Sequence, residues 1–350
     1  MPDRILTEFL IVGVSSFILT AILSHFIIPI LVAKKAGQPI RLEGPKAHYS
    51  KQGTPTMGGI AFIFAILIVA LAAVIVYAIK GEQNRFIPLG LTLALAVFNG
   101  MIGFFDDYRK LLKKQNEGLK AWQKFALQLI AAIIYVVMLV KFGGIDTSLH
   151  IPFIDKTVEL GAVYYAFAVI LIVGVVNSVN LTDGLDGLAS SITLIVALFF
   201  AAVLFTVKTP LLEDSEGVRS SLSFVSSALL GATVGFLIYN HHPAKVFMGD
   251  TGSLFLGGMV VGAAFIIDEP VIILIAGGVY IFEAVSVMLQ VGIFKITKKA
   301  TGKQEGYRLF KCAPAHHHFE ACGWSEVTVV AVFTLVTVIL CGLAWVGLYF

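Results

Sequence analysis

The feature that most constrains this chain is a series of ten apolar segments, each about long enough to cross a lipid bilayer. A hydrocarbon core about 30 Å thick requires roughly 20 apolar residues in a helix. Backbone polar groups find no water in that core, so such segments fold as helices that satisfy their own hydrogen bonds. The composition agrees, because 58% of the residues are apolar and only 13% are charged, against about 25% charged in soluble domains. The predicted segments cover about residues 7–33, 57–79, 87–105, 122–140, 162–177, 187–207, 222–240, 253–267, 270–294 and 326–349.

The distribution of positive charge predicts the orientation of this all-α, polytopic membrane protein of ten transmembrane helices. Of the 25 Lys and Arg residues, seventeen lie in the odd-numbered loops, seven lie on the opposite side, and Lys124 lies just inside the fourth segment. Loops rich in Lys and Arg stay in the cytoplasm, so both termini are predicted to be extracytoplasmic. The net charge of +3 is too small for a nucleic-acid-binding protein, and no nucleic-acid partner is predicted.

Two departures from straight helices are predicted. Between the fourth and fifth segments, apolar residues alternate with polar or small ones before a turn near Asp155, which is typical of a short hairpin. That hairpin would be extracytoplasmic. In the ninth segment, Gly277 and Gly278 predict a bent or broken helix. Glu283 lies in the same segment, and an ionisable residue within a membrane helix is a functional-site hypothesis.

Five aspartates recur where a predicted helix meets a cytoplasmic loop. An aspartate at the hydrocarbon boundary costs roughly 3 kcal/mol unless it is paired, binds a cation or faces water, so five on one side indicate a bound cation. Carboxylate oxygens suit Mg²⁺, which typically takes one or two carboxylates together with substrate phosphates. Any one of them could instead cap a helix or lie in a solvated loop. These residues are Asp106, Asp107, Asp183, Asp186 and Asp250.

Two glycine-containing segments are further candidates for ligand binding. Asp183 and Asp186 are three residues apart, with Gly184 and Gly187 beside them. On a helix this spacing would place both carboxylates on one face, and the glycines would allow the backbone to approach a ligand. An ordinary interhelical loop is the alternative. The segment GTPTMGG, residues 53–59, precedes a helix and could bind a phosphate or a uracil oxygen, or simply cap that helix.

Asparagines and histidines add polar groups on the same side. Asn180 and Asn240 could hydrogen-bond a base or sugar, or bond to a neighbouring helix. The last cytoplasmic loop contains three consecutive histidines, residues 316–318, whose imidazoles could contact a pyrophosphate or orient the carboxylates. Cys312 and Cys322 flank two of these histidines in a C-x3-H-x-H-x3-C pattern. This pattern fits the usual spacings of zinc sites poorly.

Five motifs occur in order along the chain and carry a resemblance. They are PTMGG, FFDDY, NLTDGLDG, FMGDTG and HHHFE. Together they resemble the polyprenyl-phosphate N-acetylhexosamine-1-phosphate transferase superfamily, over a stretch from about Lys46 to Trp324. The resemblance implies a single integral membrane transferase domain, residues 1–350, in the bacterial cytoplasmic (inner) membrane, with its active site facing the cytoplasm.

The HHHFE and PTMGG motifs favour the branch of this superfamily that acts in peptidoglycan synthesis. For that branch, the resemblance implies transfer of phospho-MurNAc-pentapeptide from UDP-MurNAc-pentapeptide to undecaprenyl phosphate, with Mg²⁺ as cofactor and with lipid I and UMP as products. The implied partners are these two substrates and membrane lipids. The resemblance also allows a homodimer.

The resemblance and the polar residues described above together give the candidate site residues. Asp106 and Asp107 match the paired aspartates of the superfamily, and Asp250 matches its metal-binding aspartate. The candidate catalytic residues are Asp106, Asp107, Lys110, Lys124, Asp183, Asp250, His316, His317 and His318. The candidate nucleotide-binding residues are Lys51, Thr56, Asn180, Gly184, Leu185, Asp186, Asn240 and Phe247.

Other functions share part of this pattern. A related transferase that uses UDP-GlcNAc would carry the same aspartates. A cation-coupled transporter would place its carboxylates near the membrane midplane, within reach of both faces, whereas here only Glu283 is deep. In the transferase, Asp106 or Asp107 could act as a base toward the lipid phosphate, or both could position other groups. The second pKa of the lipid phosphate is about 6, so this phosphate is largely ionised near neutral pH without a base. The positioning role is therefore favoured for Asp106 and Asp107.

Overall fold

The computed structural model describes residues 2–34, 51, 53–80, 87–113, 118–207, 212, 215–302 and 305–349. Within this part of the chain, ten helices are long and apolar enough to cross a membrane, which confirms the predicted polytopic α-helical architecture. Two shorter helices, α9 and α11, lie between them. The helices are α1 Pro2–Ala33, α2 Gly59–Ile79, α3 Ile87–Lys113, α4 Ala121–Phe142, α5 Ala162–Thr182, α6 Leu188–Thr206, α7 Glu216–Asn240, α8 Gly249–Ile266, α9 Ile272–Ala276, α10 Gly278–Thr301, α11 Ala315–Ala321 and α12 Glu326–Gly347.

Helix α8 is the buried centre of the bundle, since all of its residues from 251 to 266 are buried. Its glycines let two neighbouring backbones approach closely. A Cβ on Gly258 would lie 2.7 Å from the Cα of Ala96 in α3, and a Cβ on Gly257 would lie 2.8 Å from the Cα of Val176 in α5. Small residues permit this kind of contact between membrane helices. Helix α8 is therefore held between α3 and α5.

The structure moves the boundaries of several predicted spans, and α3, for example, ends at Lys113 rather than near residue 105. Helix α8 begins at Gly249 rather than near residue 253, so Asp250 lies in its first turn. Burial of α8 on all sides outweighs the low helix propensity of its glycines. In the ninth predicted span, α9 ends at Ala276 and α10 begins at Gly278, with Gly277 between them. A bend of one continuous membrane helix at this point stays a prediction.

The short hairpin predicted between the fourth and fifth membrane helices is present. Strand β1 (Ser148–Ile151) pairs antiparallel with strand β2 (Lys156–Glu159). His150 of β1 reaches the turn that follows α8, where its Nδ1 lies 2.8 Å from Glu269 Oε1. Because Asp250 is at the start of α8 and Glu269 follows its end, the hairpin covers the end of the bundle that is opposite to Asp250.

We expect Asp268→Asn to stabilise the protein by an amount that grows with pH. Burial, together with the charges of Asp146 and Glu269, raises the pKa of Asp268 to about 7. An unfolded aspartate has a pKa of about 3.9, so the wild type loses stability as pH rises from about 4 to about 7, and the loss is complete above that range. Asp268 has a φ of 57°, which Asn adopts readily.

Thermal unfolding in detergent at pH 5 and pH 8 checks this expectation. The difference in Tm between Asp268→Asn and wild type should be larger at pH 8 by about 2–4 °C, after allowance for solvent screening. Asp155→Asn is the control, because Asp155 also has a positive φ, 45°, but its side chain is 87% exposed. The same pH dependence in both variants, or in neither, would contradict the expectation.

Candidate active site

Helix α3 presents two aspartates and a lysine where it meets α8. Lys110 follows Asp106 by four residues, a spacing that places both side chains on one helical face. Lys110 Nζ lies 2.7 Å from Asp106 Oδ2 and 3.0 Å from Asp250 Oδ2. Asp106 Oδ1 accepts a hydrogen bond of 2.7 Å from the backbone N–H of Leu119. Asp106 therefore also holds the segment that leads into α4.

Asp107 is buried and anchors the first turn of α8. Its Oδ2 accepts hydrogen bonds from the backbone N–H and the hydroxyl of Thr251, at 2.9 Å and 2.8 Å. Its Oδ1 is buried without a hydrogen-bond partner among the described residues, and Lys110 Nζ lies 3.8 Å from it. An unsatisfied buried polar atom costs about 1–3 kcal/mol, and more when it is charged. This oxygen is therefore a candidate ligand for a cation.

The carboxylate of Asp250 is contacted by three other helices. Lys124 of α4 donates to Asp250 Oδ2 at 2.7 Å, and Lys110 of α3 donates to the same oxygen at 3.0 Å. Asn180 of α5 donates through Nδ2 to Asp250 Oδ1 at 2.9 Å. The fold thus brings together four of the predicted site residues that lie far apart in the sequence.

The carboxylates of Asp106, Asp107 and Asp250 could hold a metal ion together, since one oxygen from each lies within 4.8 Å of the others. The unpartnered Oδ1 of Asp107 supports this fit, as does the all-oxygen donor set, which suits Mg²⁺. The charges of Lys110 and Lys124 offset only two of the three carboxylates. The predicted metal ligand, Asp250, belongs to this group.

Asp183 and Asp186 lie in the turn between α5 and α6 rather than on a helix. They therefore do not share a helical face, and the interhelical loop considered above is the structure that forms. Burial, together with the charges of Asp250, Asp107 and Asp186, raises the pKa of Asp183 well above its usual range. Asp183 is therefore electrostatically part of the cluster around Asp250, whereas Asp186 contacts different residues.

A second cluster surrounds Asp186. Lys51 Nζ lies 2.6 Å from Asp186 Oδ1 and 2.5 Å from Glu326 Oε1. Glu326 Oε1 also accepts the backbone N–H of Asp186 at 2.7 Å, and His242 Nδ1 lies 3.1 Å from Asp186 Oδ2. Sequence reasoning missed Glu326 and His242. An acidic residue in the first turn of a helix is ordinarily explained by the helix dipole, so the sequence contained no separate signal for Glu326.

His316 connects the histidine motif to the turn that carries the aspartates. It is buried, and its backbone N–H donates to Glu283 Oε1 at 3.2 Å. Its ring packs against Gly184, where an added Cβ would lie 2.2 Å from His316 Nε2. Gly184 therefore permits the close approach of the two motifs. Glu283 of α10 is therefore a partner of His316.

The other two histidines of α11 contact neighbours of their own. His317 Nδ1 lies 2.7 Å from Glu320 Oε2, and His318 Nδ1 accepts the backbone N–H of Lys311 at 3.1 Å. The zinc pattern considered above is not assembled within the described residues, although His318 Nε2 and Cys322 Sγ lie 3.7 Å apart.

The PTMGG and FMGDTG motifs are in direct contact. The backbone N–H of Phe247 donates to Pro55 O at 2.8 Å. Thr56 is buried beside Gly249, since a Cβ on that glycine would lie 2.7 Å from Thr56 Oγ1 and 2.6 Å from Asp107 Oδ2. Residues 55 and 56, before α2, are thereby held against the start of α8.

Two predicted nucleotide-binding residues have supporting positions. Asn240 is buried, accepts a hydrogen bond from Ser190 Oγ at 3.0 Å and donates to Val246 O at 2.9 Å. Its amide therefore braces the loop before α8. Leu185 is buried between the two aspartates of its turn.

The fold and the site together define the class of protein. It is an integral membrane protein in which acidic and lysine side chains are gathered at one end of the helix bundle. The family model described as Glycosyl transferase family 4 matches residues 89–268, and phospho-N-acetylmuramoyl-pentapeptide-transferase signature 1 matches residues 51–63. The phospho-N-acetylmuramoyl-pentapeptide-transferase of Caldicellulosiruptor bescii is 43% identical over 329 residues, 94% of each chain. That of Clostridioides difficile is 42% identical over 344 residues, 98% of each chain. The chain belongs to the phospho-N-acetylmuramoyl-pentapeptide-transferase family.

Proposed function

We propose that this protein transfers phospho-MurNAc-pentapeptide from UDP-MurNAc-pentapeptide to undecaprenyl phosphate, forming lipid I and UMP, with Mg²⁺ as cofactor. Relatives with this transferase name match nearly the whole chain. The structural observation that carries the proposal is the convergence of Asp106, Asp107 and Asp250 with Lys110 and Lys124. Phosphoryl transfer requires mainly positioning and charge stabilisation, which such a group supplies.

The proposed reaction is a displacement at phosphorus. An oxygen of undecaprenyl phosphate attacks the β-phosphorus of the UDP-sugar. The bond from that phosphorus to the bridging oxygen breaks, and UMP leaves with the bonding electrons. Lys110 and Lys124, each within 3.0 Å of Asp250, would attract the phosphates and offset the charge that develops. Mg²⁺ held by Asp250 with Asp106 or Asp107 would neutralise the pyrophosphate.

We expect Asp107→Asn to lower the transfer rate by about a hundredfold at every pH between 6.5 and 9. Asp107 Oδ2 is occupied by Thr251, and a lipid phosphate with a second pKa of about 6 needs no base near neutrality. Its role is therefore positioning. A pH–rate profile of the variant beside wild type checks this expectation. Recovery of the rate at alkaline pH would show instead that Asp107 removes a proton.

We expect Glu326→Gln to weaken nucleotide binding more than turnover. Glu326 holds Lys51 and the backbone N–H of Asp186, so it positions residues proposed to bind the nucleotide. Loss of a charge-assisted contact should raise KM for the UDP-substrate about tenfold and change kcat by less than about twofold. Glu216→Gln is the control, because Glu216 is also in the first turn of a membrane helix. A fall in kcat at unchanged KM would contradict this role.

The finer features of the protein are proposals as well. We propose a single domain, residues 1–350, in the bacterial cytoplasmic membrane, with the aspartates on the cytoplasmic side and the hairpin and both termini outside. The excess of Lys and Arg in the odd-numbered loops supports this orientation. The helix boundary at Gly277 supports a bend in the ninth span. The family resemblance also allows a homodimer, and the particle mass in detergent tests whether one forms.

A transfer assay and a transport assay together separate this function from its two rivals. Purified protein is incubated with Mg²⁺, undecaprenyl phosphate and either labelled UDP-MurNAc-pentapeptide or labelled UDP-GlcNAc. We expect a labelled lipid and UMP from the first substrate only. Labelled lipid from UDP-GlcNAc alone would indicate the related transferase. If the protein in sealed vesicles drives uptake of a labelled UDP-sugar with a cation gradient and forms no lipid product, it would be a transporter.

A further inference from the structure

A cavity of about 710 Å³ lies between α1, α2 and α7 and is not used by the proposed reaction. It is bounded by the first turns of α1 and α7 and by the end of α2. Helix α7 ends at Asn240, close to the start of α8, and the cavity is near the other end of α7. It therefore lies at the end of the bundle that is opposite to Asp250.

Among the described residues that line it, the mouth of this cavity carries more positive than negative charge. Arg4 Cζ and Lys80 Nζ each lie 5.6 Å from the centre of the Tyr77 ring. Glu8 Oε1 accepts a hydrogen bond from Arg4 Nε at 3.0 Å. Two cations against one carboxylate favour an anionic group at this position, because summed surface charge attracts ligands of opposite sign.

Two buried hydroxyls lie just below the mouth. Ser220 and Ser223, in the first turns of α7, line the cavity. They are 3% and 1% exposed, and neither Oγ has a hydrogen-bond partner within the described ranges. By contrast, Ser226 and Ser227 of the same helix donate to backbone carbonyls. Since buried donors are nearly always paired and these two hydroxyls line a cavity, they are available to donate to the acceptor oxygens of a ligand at this depth.

Below these hydroxyls the cavity is apolar and opens sideways. Ile11 and Ile68 line it and are 61% and 47% exposed, so the opening faces the surrounding lipid. Leu19 marks the deepest part on α1. The helical rise from Arg4 to Leu19 is about 22 Å, enough to span one leaflet, which is about half of a 30 Å hydrocarbon core.

We propose that this cavity binds one anionic phospholipid. Its phosphate lies between Arg4 and Lys80, its ester oxygens accept from Ser220 and Ser223, and one acyl chain fills the apolar part. A helix from a second protein would fit this cavity less well. Its backbone carbonyls are already hydrogen-bonded within the helix, so they offer few acceptors to the two serines.

Native mass spectrometry of the full-length, delipidated protein tests this proposal. The protein is mixed with equal amounts of phosphatidylglycerol and phosphatidylcholine that have identical acyl chains. We expect wild type to retain one phosphatidylglycerol in preference to phosphatidylcholine. The double variant Arg4→Gln, Lys80→Gln should retain about tenfold less phosphatidylglycerol. The double variant Ser220→Ala, Ser223→Ala should retain less of both lipids, because both carry the same ester groups.

Lys141→Gln is the matched control, since Lys141 Nζ also lies over an aromatic ring, 5.5 Å from the centre of Phe142, but outside the cavity. Its lipid retention should equal that of wild type. The proposal is overturned if wild type retains the two lipids equally or retains none, or if Lys141→Gln loses as much lipid as the double variant. Wild type could also be a dimer that dissociates in the Arg4 and Lys80 double variant while lipid retention stays unchanged. That result would assign the cavity to a second copy of the chain and would overturn the lipid proposal too.

Discussion

Replacing Asp250 with Asn is expected to reduce turnover by about a thousandfold while the protein stays folded. Asn keeps an oxygen that can accept the hydrogen bond from Asn180, so the contact with α5 survives. The substitution removes the negative charge that both Lys110 and Lys124 contact. It also removes one carboxylate of the proposed Mg²⁺ site. Charged ligands dominate the affinity of such a site, so the Mg²⁺ concentration for half-maximal rate should also rise.

Turnover of labelled UDP-MurNAc-pentapeptide, measured over a range of Mg²⁺ concentrations, checks this result. Asp268→Asn is the control, because it makes the same substitution beyond the other end of α8 and should leave the rate near that of wild type. In wild type, EDTA should abolish transfer and added Mg²⁺ should restore it. Full activity after chelation would show that the metal has been assigned wrongly.

Gly103→Ala is expected to lower both activity and stability strongly, although glycine has no side chain that could take part in the reaction. A Cβ on Gly103 would lie 2.1 Å from Asp250 O and 2.6 Å from Thr251 N. These are backbone atoms, so no side-chain rotation can relieve the clash, and α3 and α8 must separate. That movement would break the contacts of Asp107 with Thr251. We expect a loss of activity of about a hundredfold and a lower Tm.

Gly90→Ala provides a matched control in the same helix. No heavy atom lies within 4 Å of a Cβ added at Gly90, and Ala is a better helix former than Gly. This variant should therefore keep wild-type activity and an equal or slightly higher Tm. Similar behaviour of the two alanine variants in activity and thermal unfolding would mean that the close contact between α3 and α8 does not control the site.

Much of the architecture followed from the sequence, because crossing a bilayer sets strict limits on the length and composition of each helix. Ten apolar segments predicted ten membrane helices, and the alternation before Asp155 predicted the hairpin. The same reasoning singled out the aspartates, since a carboxylate at the hydrocarbon boundary needs a cation or a partner. These are local properties, which a chain displays without any knowledge of its packing.

Tertiary structure alone decided which of these groups meet. Lys51 and Glu326 are 275 residues apart in the sequence, and Lys124 and Asp250 are 126 apart. Their contacts depend on how closely whole helices pack, and small residues such as Gly103 set that distance. The apolar periodicity of the sequence does not reveal this role. The sequence by itself therefore determined the membrane helices and the chemical types at their ends. The packed bundle determined which charges lie within hydrogen-bonding distance, because those distances result from long-range helix contacts rather than from spacing along the chain.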